Sequence, residues 1–540
     1  MMTIPHELPE DVEALKAIIA AYESEKNELK ELTESLNKEK NHLVGEISYL
    51  KEKVRQLTAK LFARKSEKLT AEEALQGRLF DEAEEGSGEN TALQASPKIR
   101  VASYERKKPG RKALPEYLPR EEIVIDIPEE EKRCACGEER TKIGEEVCEK
   151  LDIIPAKVVV KKYIRFKYAC RACEGAGDEG GSGVRTAPLP PQVLPRSIAT
   201  PGLLAYLFTS KFCDALPFYR QEKMFARIGV DLSRATMCNL VMDIREKYPY
   251  LESSMWEGLK GYPSIGIDET TVQVLSESGK KNTTKSYMWI FRGAGERPLV
   301  LYHYSPSRSP NEIRCFLEGY SGTIQTDGYA GYDIFGNSAN IRHAGCWAHA
   351  RRKFYEAEKA SPGGYSAAVL GTIKELYAVE DQARERVLSP DDIVSLRREK
   401  SLPILERLKS QLESKVHHAA PKSLLGKAIR YTLEQWDKLC VYLGDGRIPI
   451  DNNGVENAIR PFVVGRKNWL FSGSPRGAGA SALIYSIIET AKSNGFEPYW
   501  YLRFLFERLP VTPKGDIHSI LPHRLDPNVF NAFFAGGGKN

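Results

Sequence analysis

"PSIGIDETTVQVL", residues 263–275, decides the fold. Ile265 and Ile267 alternate with small residues, the period of a half-buried strand, and Asp268 stands on the far side of Ile267. Two further strands follow in "KSYMWIFRG" (285–293) and "RPLVLYHYS" (297–305). "SPNEIRCFLEGY" (309–320) reads as a helix with Ser309 at the N-cap, Pro310 at N1 and Glu312 closing a capping box. "GTIQTD" (322–327) is a fourth strand that runs out on a second acid, Asp327.

Three strands in a meander, a helix and a strand form the opening order of a ribonuclease-H-like fold. In that topology the first strand is central and lies beside the fourth, so Asp268 and Asp327 become neighbours. Two carboxylates about 5 Å apart at an effective dielectric near 20 repel by roughly 3 kcal/mol. A hard cation, Mg²⁺ or Mn²⁺, is the natural compensation. A third acid is available in "IDNNGVENAIRPFVVGRKNWLFSGSPRGAG" (450–479). Asp451 would cap a helix carrying Glu456 and Arg460 on one face, which Pro461 would kink or end. Arg460, Arg466 and Lys467, interleaved with Trp469 and Phe471, suit a phosphodiester site. Spacing alone favours the plainer reading, an exposed Glu456–Arg460 surface pair. In "HAGCWAHARRKF" (343–354), Cys346 and His349 have metal-ligand spacing but lack an obvious second half, which favours a structural role. Arg351, Arg352 and Lys353 follow as candidate phosphate contacts.

The chain has 540 residues, too many for one core, with 41% apolar and 28% charged residues and a net charge of +5. No apolar run approaches a membrane span, and the N-terminus lacks the pattern of a secretory signal, so a cytoplasmic protein is expected. Leu15, Tyr22, Leu29, Leu36, Leu43, Leu50 and Leu57 recur every seven residues. A second seam, Ile47, Val54 and Leu61, appears late, its earlier positions Lys26, Thr33 and Lys40 being polar. The pattern fits a coiled coil roughly 70 Å long, or one charged helix packed on its own chain. An acidic, Gly/Ser-bearing linker leads to "ERKKPGRKALP", where Lys107, Lys108, Arg111 and Lys112 flank Pro109-Gly110. This is either a minor-groove arm or a solvated basic linker. Cys134 and Cys136, then Cys170 and Cys173, make two knuckles joined by strand-like sequence, a zinc-ribbon-like set with one short knuckle and a spare thiol, Cys148. Residues 197–246 are helical, and "FARIGVDLSRATMCNLV" fits a helix-turn-helix or an ordinary hairpin with its second helix opening at Ser233.

The chain resembles transposases of the insertion-sequence 66 family, in the DDE superfamily. The resemblance is carried by "LFARKSEK", "KKPGRKALP", "YACRAC", "KFCDALPFYRQE", "IGIDET", "IQTDGYAGY", "CWAHARRKF", "DNNGVENAIRP", "GRKNWLFSGSPRG" and "SNGFEPYWYL". The departures are the short knuckle and Ala63, where a glycine is usual. The resemblance implies that Asp268, Asp327 and Glu456 are catalytic and hold two divalent cations, Mg²⁺ or Mn²⁺. It further implies a structural Zn²⁺, DNA partners (terminal inverted repeats and target DNA) and a helical insertion before the glutamate, as well as possible accessory proteins of the same element. The architecture expected is multidomain α+β. It comprises a leucine-zipper coiled coil (11–70), a linker with a basic arm (71–120), a zinc-ribbon-like DNA-binding module (121–195) and a helical DNA-binding segment (196–255). A ribonuclease-H-like catalytic core (256–350 and 446–508) follows, interrupted by the helical insertion (351–445), with a C-terminal tail (509–540). The zipper would make the protein a homo-oligomer.

Overall fold

The structure, a computed structural model, describes residues 11–62, 158–169, 184–335 and 340–535. The basic arm with Lys107, Lys108, Arg111 and Lys112, the cysteines Cys134, Cys136, Cys148, Cys170 and Cys173, and Ala63 lie outside the described residues. The chain divides into two units, residues 81–188 and the remainder. In the smaller unit, β1 (Lys167–Ala169) pairs antiparallel with β2 (Val184–Thr186).

The larger unit opens with one helix, α1 (Val12–Phe62), 51 residues long. At 1.5 Å per residue it extends for about 76 Å. Leu29, Leu36, Leu43 and Leu50 are each at least 50% exposed. These four leucines are left open, whereas Leu15 and Tyr22, earlier in the stripe, are half-buried, and the helix meets the helix Trp347–Ala360 of its own chain.

Four helices follow: α2 (Pro201–Phe212), α3 (Phe218–Arg227), α4 (Arg234–Lys247) and α5 (Pro249–Lys260). Their starts follow capping chemistry. The Thr200 and Ser233 hydroxyls accept the Leu203 and Thr236 N–H groups. Between α3 and α4, Gly229 turns the chain at φ +79°, a conformation that glycine adopts freely.

A five-stranded mixed sheet forms the centre, in the order β5–β4–β3–β6–β7. Its strands are β3 (Ser264–Gln273), β4 (Lys285–Gly293), β5 (Leu299–Ser305), β6 (Gly322–Gln325) and β7 (Ile341–Ala344). The first three form an antiparallel meander, and β6 joins β3 in parallel after α6 (Pro310–Phe316). The first strand thus lies centrally beside the fourth. Ser309 caps α6 through the Asn311 N–H.

Register sorts side chains between the faces. Asp268 pairs with Ile290, and Ile290 with Tyr302, whose ring packs near Phe462 and Tyr485 of the C-terminal helices. Glu269 pairs with Trp289, on the face where Trp256, Phe291 and Phe316 cluster. Consecutive acids on one strand therefore enter opposite layers. The first of these layers is built by α13 (Asn453–Trp469) and α14 (Pro475–Ser493). Along the outer edge of β5, the Val300 and Tyr302 N–H groups donate to Thr490 Oγ1 and Ser486 Oγ of α14. Those side chains close an edge that would otherwise be open to pairing.

Between β7 and α13 the helices α7 (Trp347–Ala360), α8 (Tyr365–Glu385), α9 (Pro390–Leu396), α10 (Leu402–Val416), α11 (Leu424–Glu434) and α12 (Trp436–Cys440) build a separate core. Phe354, Ile373, Leu408, Ile429 and Trp436 are among its residues. Arg397 is buried there at 2% exposure. It donates to Glu380 and to the carbonyls of Tyr442, Asp445 and Ile448, fastening the return segment that leads to α13. Helices α15 (Pro498–Arg508) and α16 (Pro527–Ala535) complete the chain, with Ile517, Leu521 and Leu525 buried between them.

Of the two outcomes expected at Pro461, a kink or an end, the end does not occur: α13 continues to Trp469. Proline removes the N–H that would meet the Asn457 carbonyl. The buried Tyr302 hydroxyl donates to the next carbonyl, Ala458, and the packing of Phe462 holds the helix beyond the proline.

Candidate active site

Register brings the first two acids together. Parallel pairing sets Ser264 against Thr323, Ile265 against Ile324 and Gly266 against Gln325. The same offset, continued two residues past the last pair, puts Asp327, just beyond the end of β6, level with Asp268 in the middle of β3. Asp327 Oδ1 accepts the Tyr329 N–H at 2.9 Å, so the residue also shapes the turn that ends the strand. Its carbonyl accepts from the Tyr431 hydroxyl of α11 at 2.7 Å. Gly328 follows at φ +85°, and a Cβ there would lie 3.0 Å from that hydroxyl. Asp268 Oδ1 accepts the Glu269 N–H at 2.8 Å.

Glu456 arrives from far along the chain, and the return segment is stitched to place it. Gln325 Nε2 donates to the carbonyls of Gly345 and Pro449, and the Trp347 N–H donates to Ile450. Asn452 Nδ2 donates to the Ile267 carbonyl at 3.0 Å, and the Asn452 N–H to Cys346 Sγ at 3.2 Å. The N-cap is Asn452 and not Asp451 as expected; Asp451, one residue earlier, accepts the Asn453 N–H at 3.1 Å and the Tyr377 hydroxyl at 2.8 Å. The first turn of α13 lies on β3 at Gly266, where a Cβ would run into Asn452 Oδ1 and Val455 Cγ2. Glu456 is in that turn, where the helix dipole favours an anion.

The electrostatics mark these groups as one unit. Burial pushes Asp268 up to about 7, and Glu269, Asp327 and Glu456 push it the same way. Glu456 Oε2 accepts from Arg352 at 3.0 Å, while Oε1 is buried without a hydrogen-bond donor. His349 Nδ1 lies 3.7 Å from Oε1 and is likewise buried without a partner. Among the described residues, the donor atoms of Cys346, His349 and Glu456 all lie within 4.8 Å of one another. Asp268 and Asp327 stand outside that tight group but within electrostatic reach of it. An uncompensated buried carboxylate oxygen beside two further acids is a donor set suited to a divalent cation.

The other predicted contacts divide. Lys353 sits 4.4 Å over the Tyr431 ring, and Arg351 and Arg460 are half-buried. Arg466 donates to Thr270 and Thr271 of β3, and Lys467 is exposed. Trp469 packs edge-on against Phe462 at 5.4 Å, leaving Leu470 and Phe471 as the exposed apolar residues of that turn.

Several groups escape a sequence-only reading. Glu269 is buried on the opposite face from Asp268. It pairs with Arg308 and accepts from the Tyr332 hydroxyl at 2.7 Å, while Arg308 stacks on Tyr329 at 3.6 Å. The acid's place on a half-buried strand was the available signal. Cys346 and His349 lack a second half in the sequence, and in the folded chain Glu456 occupies that position.

The chain matches one protein family along most of its length. A family model described as "Transposase IS66 family" matches residues 196–480. Models for the zinc-finger binding domain of transposase IS66 (131–174), "Transposase C of IS166 homeodomain" (49–123) and the IS66 C-terminal element (486–523) match the flanks. The zinc-finger match spans Cys134, Cys136, Cys170 and Cys173. The chain is similar to the uncharacterized protein y4qI of Sinorhizobium fredii, 32% identical over 97% of this chain and 98% of the relative. It is also similar to y4jD of the same organism, 33% identical over 76% of this chain and 81% of that protein. With its central region matched throughout and a relative aligned almost end to end, the chain belongs to the IS66 family of insertion-sequence transposases.

Proposed function

We propose that the protein binds the ends of its element and performs both DNA strand cleavage and strand transfer at a ribonuclease-H-like site. What supports this reading is that the parallel register sets Asp327 level with Asp268, and that Glu456, on a helix 129 residues further on, acts electrostatically on Asp268. The sheet order supports the same reading.

Asp268, Asp327 and Glu456 would hold two divalent cations, Mg²⁺ or Mn²⁺. Such ions supply a Lewis acid that activates water or a 3′-hydroxyl and stabilises the leaving oxygen of an in-line displacement. The chain's own groups do the rest. Arg352 orients Glu456 through Oε2 and leaves Oε1 facing the site. The strand and turn around Asp327 hold its carboxylate level with Asp268. Arg351, Lys353, Arg460 and Lys467 would take backbone phosphates, a salt-sensitive contribution to binding. Cys134, Cys136, Cys170 and Cys173 would hold structural zinc in a DNA-gripping module, with Lys107, Lys108, Arg111 and Lys112 as a minor-groove arm. The exposed stripe of α1 would pair two chains, matching two element ends.

The test incubates the full-length chain with labelled element ends, a target plasmid and Mg²⁺ or Mn²⁺. Joined products are expected. Asp327→Asn should abolish cleavage and retain a gel shift of the ends. Nicks without joining would reduce the protein to a nuclease, and binding without cleavage under any divalent ion would leave a DNA-binding scaffold.

A further inference from the structure

His349 has no part in the chemistry derived above, yet its geometry is unusual for a histidine kept for packing. The side chain sits in the first turn of α7, which Trp347 fixes by donating its N–H to Ile450 and its indole N–H to the Leu439 carbonyl. Its Nδ1 is buried and finds no hydrogen-bond partner, and the nearest acceptor, Glu456 Oε1, is 3.7 Å away and equally unpartnered. A buried ring nitrogen and a buried carboxylate oxygen that face each other without bonding are both left with desolvation penalties. The spacing is too long for a hydrogen bond. It is the spacing of two ligands on a shared ion: donors each about 2.1 Å from one cation lie roughly 3.0 to 4.2 Å apart, depending on the angle. Cys346 completes the tight group, but its sulfur already accepts the Asn452 N–H, which ties the return loop to the start of α7.

We infer that His349 donates an imidazole nitrogen to the cation held by Glu456, making this half of the site a mixed nitrogen and oxygen centre. The inference rests on the metal-dependent reading above. Carboxylates alone suit Mg²⁺, whereas an imidazole ligand shifts preference toward later divalent ions. The chain should therefore bind Mn²⁺ more tightly than Mg²⁺ at this position, and the difference should depend on His349.

The experiment uses the full-length, zinc-replete chain loaded with Mn²⁺ and read by pulsed electron paramagnetic resonance. A directly bound nitrogen is expected, and its signal should change when the histidines are labelled with ¹⁵N. His349→Ala should remove that signal and weaken Mn²⁺ binding by about tenfold or more. The variant's Mg²⁺ affinity should move less than its Mn²⁺ affinity. The nitrogen coupling in the labelled wild-type chain is decisive even if the variant folds poorly. Mn²⁺ bound in a manner that Asp268→Asn abolishes, but with no nitrogen coupling, would overturn the histidine assignment and leave the carboxylate site standing. A coupling that survives His349→Ala would do the same. A folded wild-type chain that binds neither Mn²⁺ nor Mg²⁺ would overturn both readings.

Discussion

Helix α1 and strand β3 are opposite kinds of sequence. The helix repeats leucine every seven residues and leaves Leu29, Leu36, Leu43 and Leu50 exposed, while the strand puts two consecutive acids into the middle of a sheet and buries most of their surface. Regular periodicity fixed a secondary structure and left its partner unspecified. Irregularity, an acid where an apolar residue packs better, pointed to chemistry. A stretch that lowers the stability of its own element is informative because something outside the element must compensate it.

The strongest way to break that contrast is Asp268→Asn. Strand cleavage should fall by about a thousandfold or more, since groups that act as a unit fail together, while the folded domain persists. A variant that still cuts would make the buried acid a structural oddity. Next is Arg397→Met, which removes the fastener of the return segment without touching β3. The loss should be about 3 to 5 kcal/mol in denaturant unfolding, because Glu380 is left with an unpaired charge and the Tyr442 and Ile448 carbonyls lose the Arg397 donor.

His523 supplies a control, a buried ionisable group with no cation to hold. Neither ring nitrogen has a hydrogen-bond partner, and burial, aided by Arg524 and Arg297, lowers it to about 4. The unfolded chain binds the extra proton between about pH 4 and 6.5, so stability is full above 6.5 and falls as pH drops through that window. The change is on the order of 3 kcal/mol. His523→Gln should flatten this slope, measured by unfolding at a series of pH values. An unchanged slope would show that burial alone does not make such a group costly here.

Gly266→Ala tests the seating of Glu456. A new Cβ would push Asn452 and Val455 off β3, with about 1 to 3 kcal/mol of destabilisation and a drop in cleavage larger than the stability loss explains. The smallest effect belongs to α1. Leu36→Lys with Leu43→Lys should leave the unfolding of the sheet domain within about 0.5 kcal/mol. The mass in solution, by sedimentation, should nevertheless fall by half. A large stability change would mean that the stripe packs on its own chain.

What was legible in the sequence follows the range of the forces involved. The limits of β4, the caps at Ser233 and Ser309 and the adjacency of Asp268 and Asp327 were readable, since alternation, capping and strand order act locally or through topology. How the helix runs on past Pro461 was not legible, because the Tyr302 hydroxyl that donates to Ala458, beside the opened Asn457 carbonyl, comes from a strand 156 positions away. Glu456 was legible as an acid but not in its pairing. The i,i+4 neighbour Arg460 was the visible candidate, and the structure pairs it with Arg352, 104 positions distant. The Glu269–Arg308–Tyr332 set joins three segments that no local pattern links.

The insertion also has a temporal meaning. Translation yields roughly 5 to 20 residues per second, so a nascent chain that has already placed Asp268 and Asp327 on its sheet waits on the order of ten seconds for Glu456 to emerge. On the proposed reading, the growing chain would lack Glu456 throughout that interval. The helical excursion would then act as a delay before the site is complete.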